Sequence, residues 1–447
     1  MTQLNATHDP ARRSWVESAN APDAEFPIQN LPFGVFVDAG MPHAGVAIGD
    51  QVVRLDALLE HRLLDGDAAA AVRACLDGRL NGLMALGPRY ASALRAALSD
   101  LLRADGPQRD RAESQRDRIL MAMADVTMAL PCDIGDYSDF LTSLHHTERH
   151  GRYKGLKDPL PPAFKSLPIA YHGRASSIRV SGEDVVRPHG QYKNKAGEVE
   201  YGPAPMLDFE LEMAAFVGQG NALGEPIPVG AAGGHIFGYC LLNDWSAKSI
   251  QWWEQVLGPF LGKSFMSSIS PWIVTQEALA PFRLPAPPRA PGDPAPLPHL
   301  FDARDQAEGG IDIALEAWLS TPARRAAGEG PLRITKTHLQ NLYWTFGQML
   351  AHHASNGCNL RPGDLIGSGT ISGADDAARA CITELTNAGA DPLQVGPEDF
   401  RTALADGDEI VLRAGAARAG YVTIGFGECR GRIAPARNMH QEADDGR

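Results

Sequence analysis

The chain has 447 residues, of which 44% are hydrophobic and 21% charged, and its formal net charge is -13 at pH 7. This composition is typical of a globular protein, and the length exceeds what one hydrophobic core usually fills, so we expect two domains. The acidic balance argues against a nucleic-acid partner, which would require basic patches.

The cysteine pattern and the N-terminal sequence indicate in which cellular compartment the protein is found. The six cysteines are scattered without a CxxC pair, which argues against a zinc cage or a disulfide framework. The first residues lack the basic patch and apolar core of a secretory signal. No run approaches the roughly 18 apolar residues of a membrane span. We therefore expect a cytoplasmic location with reduced thiols.

The N-terminal part reads as a few short strands followed by helices. Residues 1–24 are polar and aperiodic, so we expect a loose segment there. Strands are predicted at Phe33–Asp38 and at residues 44–55, with a tight turn at Gly49-Asp50. Residues 58–102 are helical in composition. The expected organisation is a loose segment over 1–24, an N-terminal domain over 25–124, a larger domain over 125–437 and a tail over 438–447.

From Val126 onward, short segments punctuated by Gly and Pro predict a β-rich domain. Residues 284–298 are rich in proline and are expected to form an extended connector. The clearest predicted helix covers residues 335–355 and ends at the left-handed cap Asn356-Gly357. The predicted strands of this domain are residues 176–180, 207–217, 235–242, 409–413 and 421–426.

An acidic strand is predicted at residues 207–213, where apolar residues alternate with Asp208, Glu210 and Glu212. Alternation places the three carboxylates on one face of the strand. Neighbours on one face lie about 7 Å apart, so two carboxylates could share a cation, and without a cation they would repel each other. For this segment alone, a half-exposed strand with its acids in water is the commoner explanation.

Further polar groups follow predicted strands. Asp139 lies in an acid-rich loop, and His146 follows it in Leu144-His145-His146; each by itself suggests a turn with surface histidines. The run Asn243-Asp244-Trp245-Ser246 directly follows the apolar segment 235–242, and an Asp there either caps a helix or points into a site. With Glu210 and Glu212, these acids give four carboxylates, an all-oxygen set that suits Mg²⁺ or Ca²⁺ better than zinc or copper.

The glycine-rich run at residues 367–373 (GSGTISG) would allow the backbone to approach a ligand closely. It resembles neither a phosphate loop nor a dinucleotide fingerprint, and a hairpin turn would also explain it.

Eight segments of the chain resemble the fumarylacetoacetate hydrolase family, and they occur in family order from about residue 26 to residue 435. They are residues 26–34 (FPIQNLPFG), 134–140 (IGDYSDF), 171–178 (YHGRASSI), 207–213 (LDFELEM), 243–247 (NDWSA), 258–265 (GPFLGKSF), 356–365 (NGCNLRPGDL) and 368–373 (SGTISG).

The resemblance implies a mainly β fold with some α, made of a small N-terminal SH3-like barrel and a larger C-terminal β-roll, usually in a homodimer. It implies that Mg²⁺ or Ca²⁺ is bound by Asp139, Glu210, Glu212 and Asp244, with Lys263 and Ser267 beside the metal. It assigns the general base to His146, oriented by Glu384, and oxyanion stabilisation to Lys248, Gln251 and Lys263. Substrate-contacting positions are Tyr171, Lys248, Gln251, Thr370 and Leu141.

Part of this substrate shell departs from the family pattern. Lys248 occupies a position that is an arginine in the family, so a compact ammonium group replaces a planar guanidinium that could donate two parallel hydrogen bonds. Leu141 and Gln255 occupy positions of substrate-contacting tyrosines. The arginine that binds a substrate carboxylate aligns near Gly155, so Arg152 or Lys154 would have to replace it.

The implied activity is metal-dependent hydrolysis of the carbon–carbon bond of 4-fumarylacetoacetate to fumarate and acetoacetate, the last step of tyrosine and phenylalanine catabolism through homogentisate. The altered shell leaves open a related acylpyruvate or diketo-acid hydrolase or decarboxylase. A catalytically silent metal-binding homologue is a different class, against which the presence of His146 and Glu384 argues. A two-carboxylate glycosidase would not explain the lysines and the histidine.

Overall fold

The computed structural model describes residues 4–438, and its N-terminal part is built on a five-stranded antiparallel sheet in the order β4-β3-β2-β1-β5. The strands are β1 (Phe33–Asp38), β2 (Met41–Ile48), β3 (Gln51–Arg54), β4 (Leu120–Ala122) and β5 (Thr127–Ala129). The helices between β3 and β4 are α1 (Leu55–Glu60), α2 (Gly66–Arg73), α3 (Asn81–Leu86), α4 (Pro88–Leu102), α5 (Arg109–Glu113) and α6 (Arg116–Ile119).

The predicted strands and turn of this part are confirmed, while its limits differ from the prediction. The expected strand over 44–55 is two strands, β2 and β3, joined at Gly49, whose φ of +58° suits glycine in a tight turn. Strand β5 pairs with β1, so the N-terminal sheet extends to Ala129, beyond the boundary expected near residue 124.

The expectation of a loose segment over residues 1–24 is wrong for its described part, residues 4–24. Trp15 and Val16 are buried in the N-terminal core. The Trp15 indole N–H donates to the Leu101 carbonyl at the end of α4. A single tryptophan can anchor an otherwise polar segment because it buries a large apolar area. Of the predicted C-terminal tail, residues 438–447, the structure describes only Asn438.

The larger part contains two main sheets, and the first of them carries most of the site. Eight strands form it, in the order β7-β6-β22-β13-β14-β16-β8 with β17 paired to β14; five form the second, in the order β21-β20-β25-β26-β9. The strands are β6 (Tyr137–Leu141), β7 (Ile169–His172), β8 (Ile178–Val180), β9 (Val185–Val186), β10 (His189–Lys193), β11 (Val199–Pro203), β12 (Leu207–Asp208), β13 (Leu211–Val217), β14 (Ile236–Asn243), β15 (Ser246–Ala247), β16 (Ser267–Ile269), β17 (Val274–Thr275), β18 (Arg283–Leu284), β19 (Gly310–Ile311), β20 (Ile313–Ser320), β21 (Leu332–His338), β22 (Leu365–Gly367), β23 (Leu393–Gln394), β24 (Phe400–Arg401), β25 (Glu409–Ala416) and β26 (Ile424–Ala434).

Short helices connect these strands. They are α7 (Leu144–Tyr153), α8 (Val229–His235), α9 (Lys248–Glu254), α10 (Leu261–Ser264), α11 (Ala303–Glu308), α12 (Pro322–Ala326), α13 (Phe346–Ala354) and α14 (Ile382–Leu385). The expected mainly β fold, with a small N-terminal and a larger C-terminal part, is confirmed.

The helix predicted over residues 335–355 is wrong in its first half. Residues 335–338 belong to β21, where the alternating, β-branched Thr335 and Thr337 fit a pleated strand. The helix α13 begins only after Thr345, which forms a capping box with Gln348. The predicted left-handed cap is present at Gly357, with φ of +86°.

Strand register brings the predicted polar residues to one end of the eight-stranded sheet. Gly367 of β22 pairs with Asp139 of β6 and with Ala214 of β13. Glu212 of β13 pairs with Leu242 of β14, two residues before Asp244. Segments far apart in the chain therefore meet at this edge.

The two parts of the chain share an apolar interface. Phe33 and Val35 of β1 lie in one hydrophobic cluster with Phe216 and Ile273 of the larger part.

All six cysteines are free thiols, as the sequence predicts. Within residues 4–438, no helix is long and apolar enough to cross a membrane.

Candidate active site

The acidic segment at residues 207–213 is buried on both faces, so the expectation of a half-exposed strand is wrong. It is interrupted at Phe209-Glu210, between β12 and β13. Asp208 accepts hydrogen bonds from the backbone N–H groups of Ile382 and Thr383 and so holds the start of α14. Glu210 and Glu212 take different partners.

Three of the four predicted carboxylates converge. Asp139, Glu212 and Asp244 each contribute an oxygen to a buried group whose members all lie within 4.8 Å of one another. The Gly369 N–H donates to Asp139 Oδ1 at 3.2 Å and to Glu212 Oε2 at 3.0 Å. Gly369 has φ of +76°, and a Cβ there would lie 2.1 Å from the Phe140 carbonyl oxygen. Only glycine allows this approach, which explains the central glycine of the glycine-rich run.

Asp244 is fixed by three side chains and caps no helix. The Tyr171 hydroxyl donates to its Oδ2 at 2.7 Å, and Lys263 Nζ donates to the same oxygen at 2.6 Å. Ser267 Oγ donates to Oδ1 at 2.8 Å. Of the two explanations that the sequence allowed for Asp244, the structure therefore supports the one in which it points into a site.

The fourth predicted carboxylate, Glu210, is bound to two buried lysines. Lys248 Nζ donates to its Oε1, and Lys263 Nζ donates to its Oε2 at 2.5 Å. Glu210 thus lies beside the three-carboxylate group and is joined to it through Lys263.

With all four carboxylates ionised, the charges of this cluster do not balance without a cation. Four carboxylates face two ammonium groups, which leaves two negative charges in a buried space. Burial and the neighbouring carboxylates raise the pKa of Asp139 and of Glu212 well above the usual range. Burial opposes ionisation of Glu210 as well, but Lys248 and Lys263 outweigh it and hold its pKa well below the usual range.

A hard divalent cation fits this donor set. Glu212 Oε1 is buried and has no hydrogen-bond partner among residues 4–438. Converging carboxylate oxygens suit a cation that prefers oxygen, and its two charges would match the uncompensated pair.

His146 lies on α7 beside this cluster and is buried, so the expectation of a surface histidine is wrong for it. Its backbone N–H donates to Ser143 Oγ, which caps α7. Its Nδ1 lies 3.0 Å from Glu384 Oε2. Arg149 donates to the other oxygen of Glu384 at 3.1 Å. Burial would raise the pKa of Glu384, but the electrostatic attraction of the neighbouring His146 and the hydrogen bonds from His146 and Ser372 hold it below its usual range.

A cavity of about 290 Å³ joins the carboxylates to the imidazole. Gln251 lies on its wall with a buried Oε1 that has no hydrogen-bond partner among the described residues. Three predicted site residues, Asp244, Ser267 and Glu384, are not part of the lining. Asp244 binds the lining residues Tyr171 and Lys263, Glu384 binds His146, and Ser267 binds Asp244. The predicted residues that line the cavity are Asp139, Leu141, His146, Tyr171, Glu210, Glu212, Lys248, Gln251, Lys263 and Thr370.

The structure separates the two basic residues considered near Gly155. Lys154 lines the cavity, as does Gln255. Burial and the charge of Lys248 lower the pKa of Lys154. Arg152 is exposed and pairs with Glu148 on its own helix. Only Lys154 is therefore placed to meet a ligand in the cavity.

Four residues near the imidazole were not found from the sequence: Arg149, His150, Ser372 and Cys381. The His150 ring lies against the His146 ring, with centroids 4.2 Å apart and planes tilted by 35°. Ser372 Oγ donates to Glu384 Oε2 at 2.5 Å, and Cys381 Sγ lies 3.3 Å from the same oxygen. The spacing of four residues between His146 and His150 is a helical signal that could have been used. The others depend on long-range packing.

Comparison with known proteins identifies the family of the chain. The family described as fumarylacetoacetate (FAA) hydrolase C-terminal matches residues 137–434, and fumarylacetoacetase N-terminal matches residues 29–131. Among relatives, fumarylacetoacetase of Arabidopsis thaliana is 46% identical, covering 93% of this chain and 97% of its own length. The enzymes named fumarylacetoacetase from Oryza sativa subsp. japonica and Rattus norvegicus are each 44% identical, covering 95% and 93% of this chain and 97% and 98% of their own lengths. The chain therefore belongs to the fumarylacetoacetate hydrolase family.

Proposed function

We propose that this protein hydrolyses the carbon–carbon bond of 4-fumarylacetoacetate to fumarate and acetoacetate, the last step of tyrosine and phenylalanine breakdown. Relatives named fumarylacetoacetase match nearly the whole chain, which supports the substrate. The observation that carries the proposal is one cavity whose wall joins a buried carboxylate cluster to an imidazole held by a carboxylate.

Asp139, Glu212 and Asp244 would hold Mg²⁺ or Ca²⁺, with Glu210 as the fourth carboxylate of the site. Lys263 and Ser267 keep Glu210 and Asp244 in place through hydrogen bonds. A hard divalent cation bound there supplies Lewis-acid stabilisation of the enolate that leaves.

His146 is the general base that takes a proton from water. Glu384 accepts the Nδ1–H hydrogen bond, so the ring keeps the tautomer whose Nε2 is free to accept a proton. Glu384 then stabilises the imidazolium that forms. Arg149 and Ser372 hold Glu384 from its other sides, which fixes the direction of the ring.

Lys248, Gln251 and Lys263 would stabilise the oxyanion that develops when water adds to the carbonyl. All three line the cavity. Lys248 uses one of its three N–H groups on a carboxylate, whereas Lys263 uses two on carboxylates and directs the third at the Asp244 carbonyl oxygen at 3.4 Å. Loss of one such donor typically costs about 10²–10³ in turnover.

Tyr171, Thr370 and Leu141 would contact the substrate from the cavity wall. Lys154 would replace the family arginine as the partner of a substrate carboxylate. Leu141 and Gln255 also line the cavity, and they favour a second candidate activity, hydrolysis or decarboxylation of a related acylpyruvate or diketo acid.

The test is the spectrophotometric loss of fumarylacetoacetate with purified protein, with and without a chelator. We expect turnover that the chelator abolishes and that Mg²⁺ or Ca²⁺ restores. A parallel panel of acylpyruvates distinguishes the second candidate, because faster turnover of an acylpyruvate would favour it. No turnover of any of these substrates would support a catalytically silent homologue.

We also propose a cytoplasmic homodimer. Val256, Leu257 and Phe260 are 91%, 102% and 68% exposed, and they form an apolar loop beside the cavity residue Gly258. Such a patch suits contact with a second copy. Analytical ultracentrifugation should give the mass of a dimer, which Leu257→Asp should weaken; a monomeric wild-type protein would contradict the assembly.

A further inference from the structure

A second group of metal-binding side chains lies behind the imidazole. His146, His150, Cys381 and Glu384 are all buried, and each offers one ligand atom within 4.8 Å of the others. His146 Nδ1 lies 3.0 Å from Glu384 Oε2, which lies 3.3 Å from Cys381 Sγ. Cys381 Sγ lies 3.8 Å from His150 Nε2. The hydrolytic mechanism uses neither His150 nor Cys381.

Three of the six separations among these ligand atoms are close to the edges of a tetrahedral zinc site. Zinc binds nitrogen and oxygen at about 2.0–2.2 Å and sulfur at about 2.3 Å, so the ligand atoms of a tetrahedron lie roughly 3.3–3.8 Å apart. The three measured separations need to change by only a few tenths of an ångström. Two imidazoles, a thiolate and a carboxylate suit zinc and are a poor set for Mg²⁺ or Ca²⁺.

The four ligands are held by two short helices and their partners. His146 and His150 are one turn apart on α7, and Cys381 and Glu384 lie at the start of α14. Asp208 binds the backbone N–H groups of that start, and Arg149 and Ser372 bind Glu384. This support keeps the donors oriented without a metal.

An ion can reach the group from the cavity. His146 and His150 both line it, while Cys381 and Glu384 lie behind them.

We propose that His146, His150, Cys381 and Glu384 form a second metal site, for Zn²⁺ or another thiophilic divalent cation, and that its occupation inhibits the enzyme. Binding releases the Cys381 thiol proton to solvent. It also takes Nδ1 of His146 as a ligand, so the ring proton moves to Nε2, which can then no longer accept a proton from water. The inhibitory consequence rests on the proposed function; the metal site does not.

Cobalt is the probe that tests the site without activity. The full-length protein is titrated with Co²⁺ in the presence of excess Mg²⁺. The Mg²⁺ occupies the carboxylate cluster, so that Co²⁺ does not bind there. We expect a thiolate-to-cobalt charge-transfer band in the near ultraviolet, which Zn²⁺ removes by competition. Cys381→Ser should lose the band, while Cys358→Ser, which changes a half-buried thiol elsewhere, should keep it. Absence of the band in wild type, or its persistence in Cys381→Ser, would overturn the site.

Inhibition is measured on the same proteins. Zn²⁺ should inhibit wild type and Cys358→Ser alike, and at least about tenfold more Zn²⁺ should be needed for Cys381→Ser, in line with the loss of one ligand. Equal inhibition of all three would place the inhibitory zinc at the carboxylate cluster and overturn the inhibitory claim. If Cys381→Ser does not fold, His150→Asn serves in both experiments. A Cys381-dependent band in a protein that hydrolyses no diketo acid would refute the proposed function and leave the metal site standing.

Discussion

His146 and Glu384 are 238 residues apart in the chain, yet His146 Nδ1 lies 3.0 Å from Glu384 Oε2. Arg149, less than one helical turn beyond His146, binds the second oxygen of the same carboxylate. Two side chains of α7, His146 and Arg149, thus bind the Glu384 carboxylate of α14. The imidazole cannot turn without breaking this contact.

Replacement of His146 should abolish hydrolysis and spare cation binding. His146→Ala removes the proposed base but none of the carboxylates, so turnover should fall by about 10²–10⁴ while Mg²⁺ affinity stays unchanged. The spectrophotometric assay measures turnover, and calorimetric titration with Mg²⁺ measures the affinity for the cation. Glu384→Gln should lower turnover and leave KM nearly constant, and wild-type rates in either variant would contradict the assignment.

Neutralising Glu212 should weaken cation binding strongly. Glu212→Gln removes a carboxylate whose buried Oε1 has no partner among residues 4–438. The loss of Mg²⁺ affinity should exceed the roughly 10–100-fold that removal of a supporting residue typically costs. Glu198→Gln, which changes an exposed acid on the loop after β10, is the matched control and should bind Mg²⁺ as wild type does.

Lys154 should determine the apparent affinity for the dianionic substrate. A hydrogen bond to a charged group is worth about 1.5–3 kcal/mol, so Lys154→Gln should raise KM by about 10–100-fold and change kcat little. Arg152→Gln is the control, because Arg152 is exposed and pairs with Glu148. Steady-state kinetics on both variants separates the two residues; an unchanged KM in Lys154→Gln would leave the substrate carboxylate with another partner.

Asp305 should make the stability of the protein depend on pH. Burial raises the pKa of this carboxyl group from 3.8 to about 6, although Thr345 Oγ1 donates to it. Between about pH 4 and pH 6 the native state therefore binds more protons than the unfolded state, and the free energy of unfolding falls as the pH rises. The loss is complete about one pH unit above this pKa and amounts to at most about 3 kcal/mol.

Asp305→Asn removes this titration. At pH 8 the variant should be more stable than wild type by about 1–3 kcal/mol, and near pH 4 the two should agree. Denaturant unfolding at both pH values provides the comparison. A constant difference between the two proteins across this range would show that Asp305 does not titrate as its burial implies.

Local sequence carries much of the fold. Alternation and turn residues predict β1, the Gly49 turn, β14 and β25 to within a few residues, because side-chain period and glycine conformation are local properties. The same logic fails at residues 335–345, where a composition compatible with a helix forms β21 through pairing with β20. It also fails at Trp15, whose burial depends on α4.

The sequence by itself determined which residue types are available: four acids in three segments, two lysines and an imidazole, in the order of a known family. Only the tertiary structure decided their partners. It brings Asp139, Glu212 and Asp244 together and pairs Glu210 with Lys248 and Lys263. It also places Cys381 beside Glu384. The reason is physical: register between distant strands and the packing of α7 on α14 set these distances, and neither is encoded by spacing along the chain.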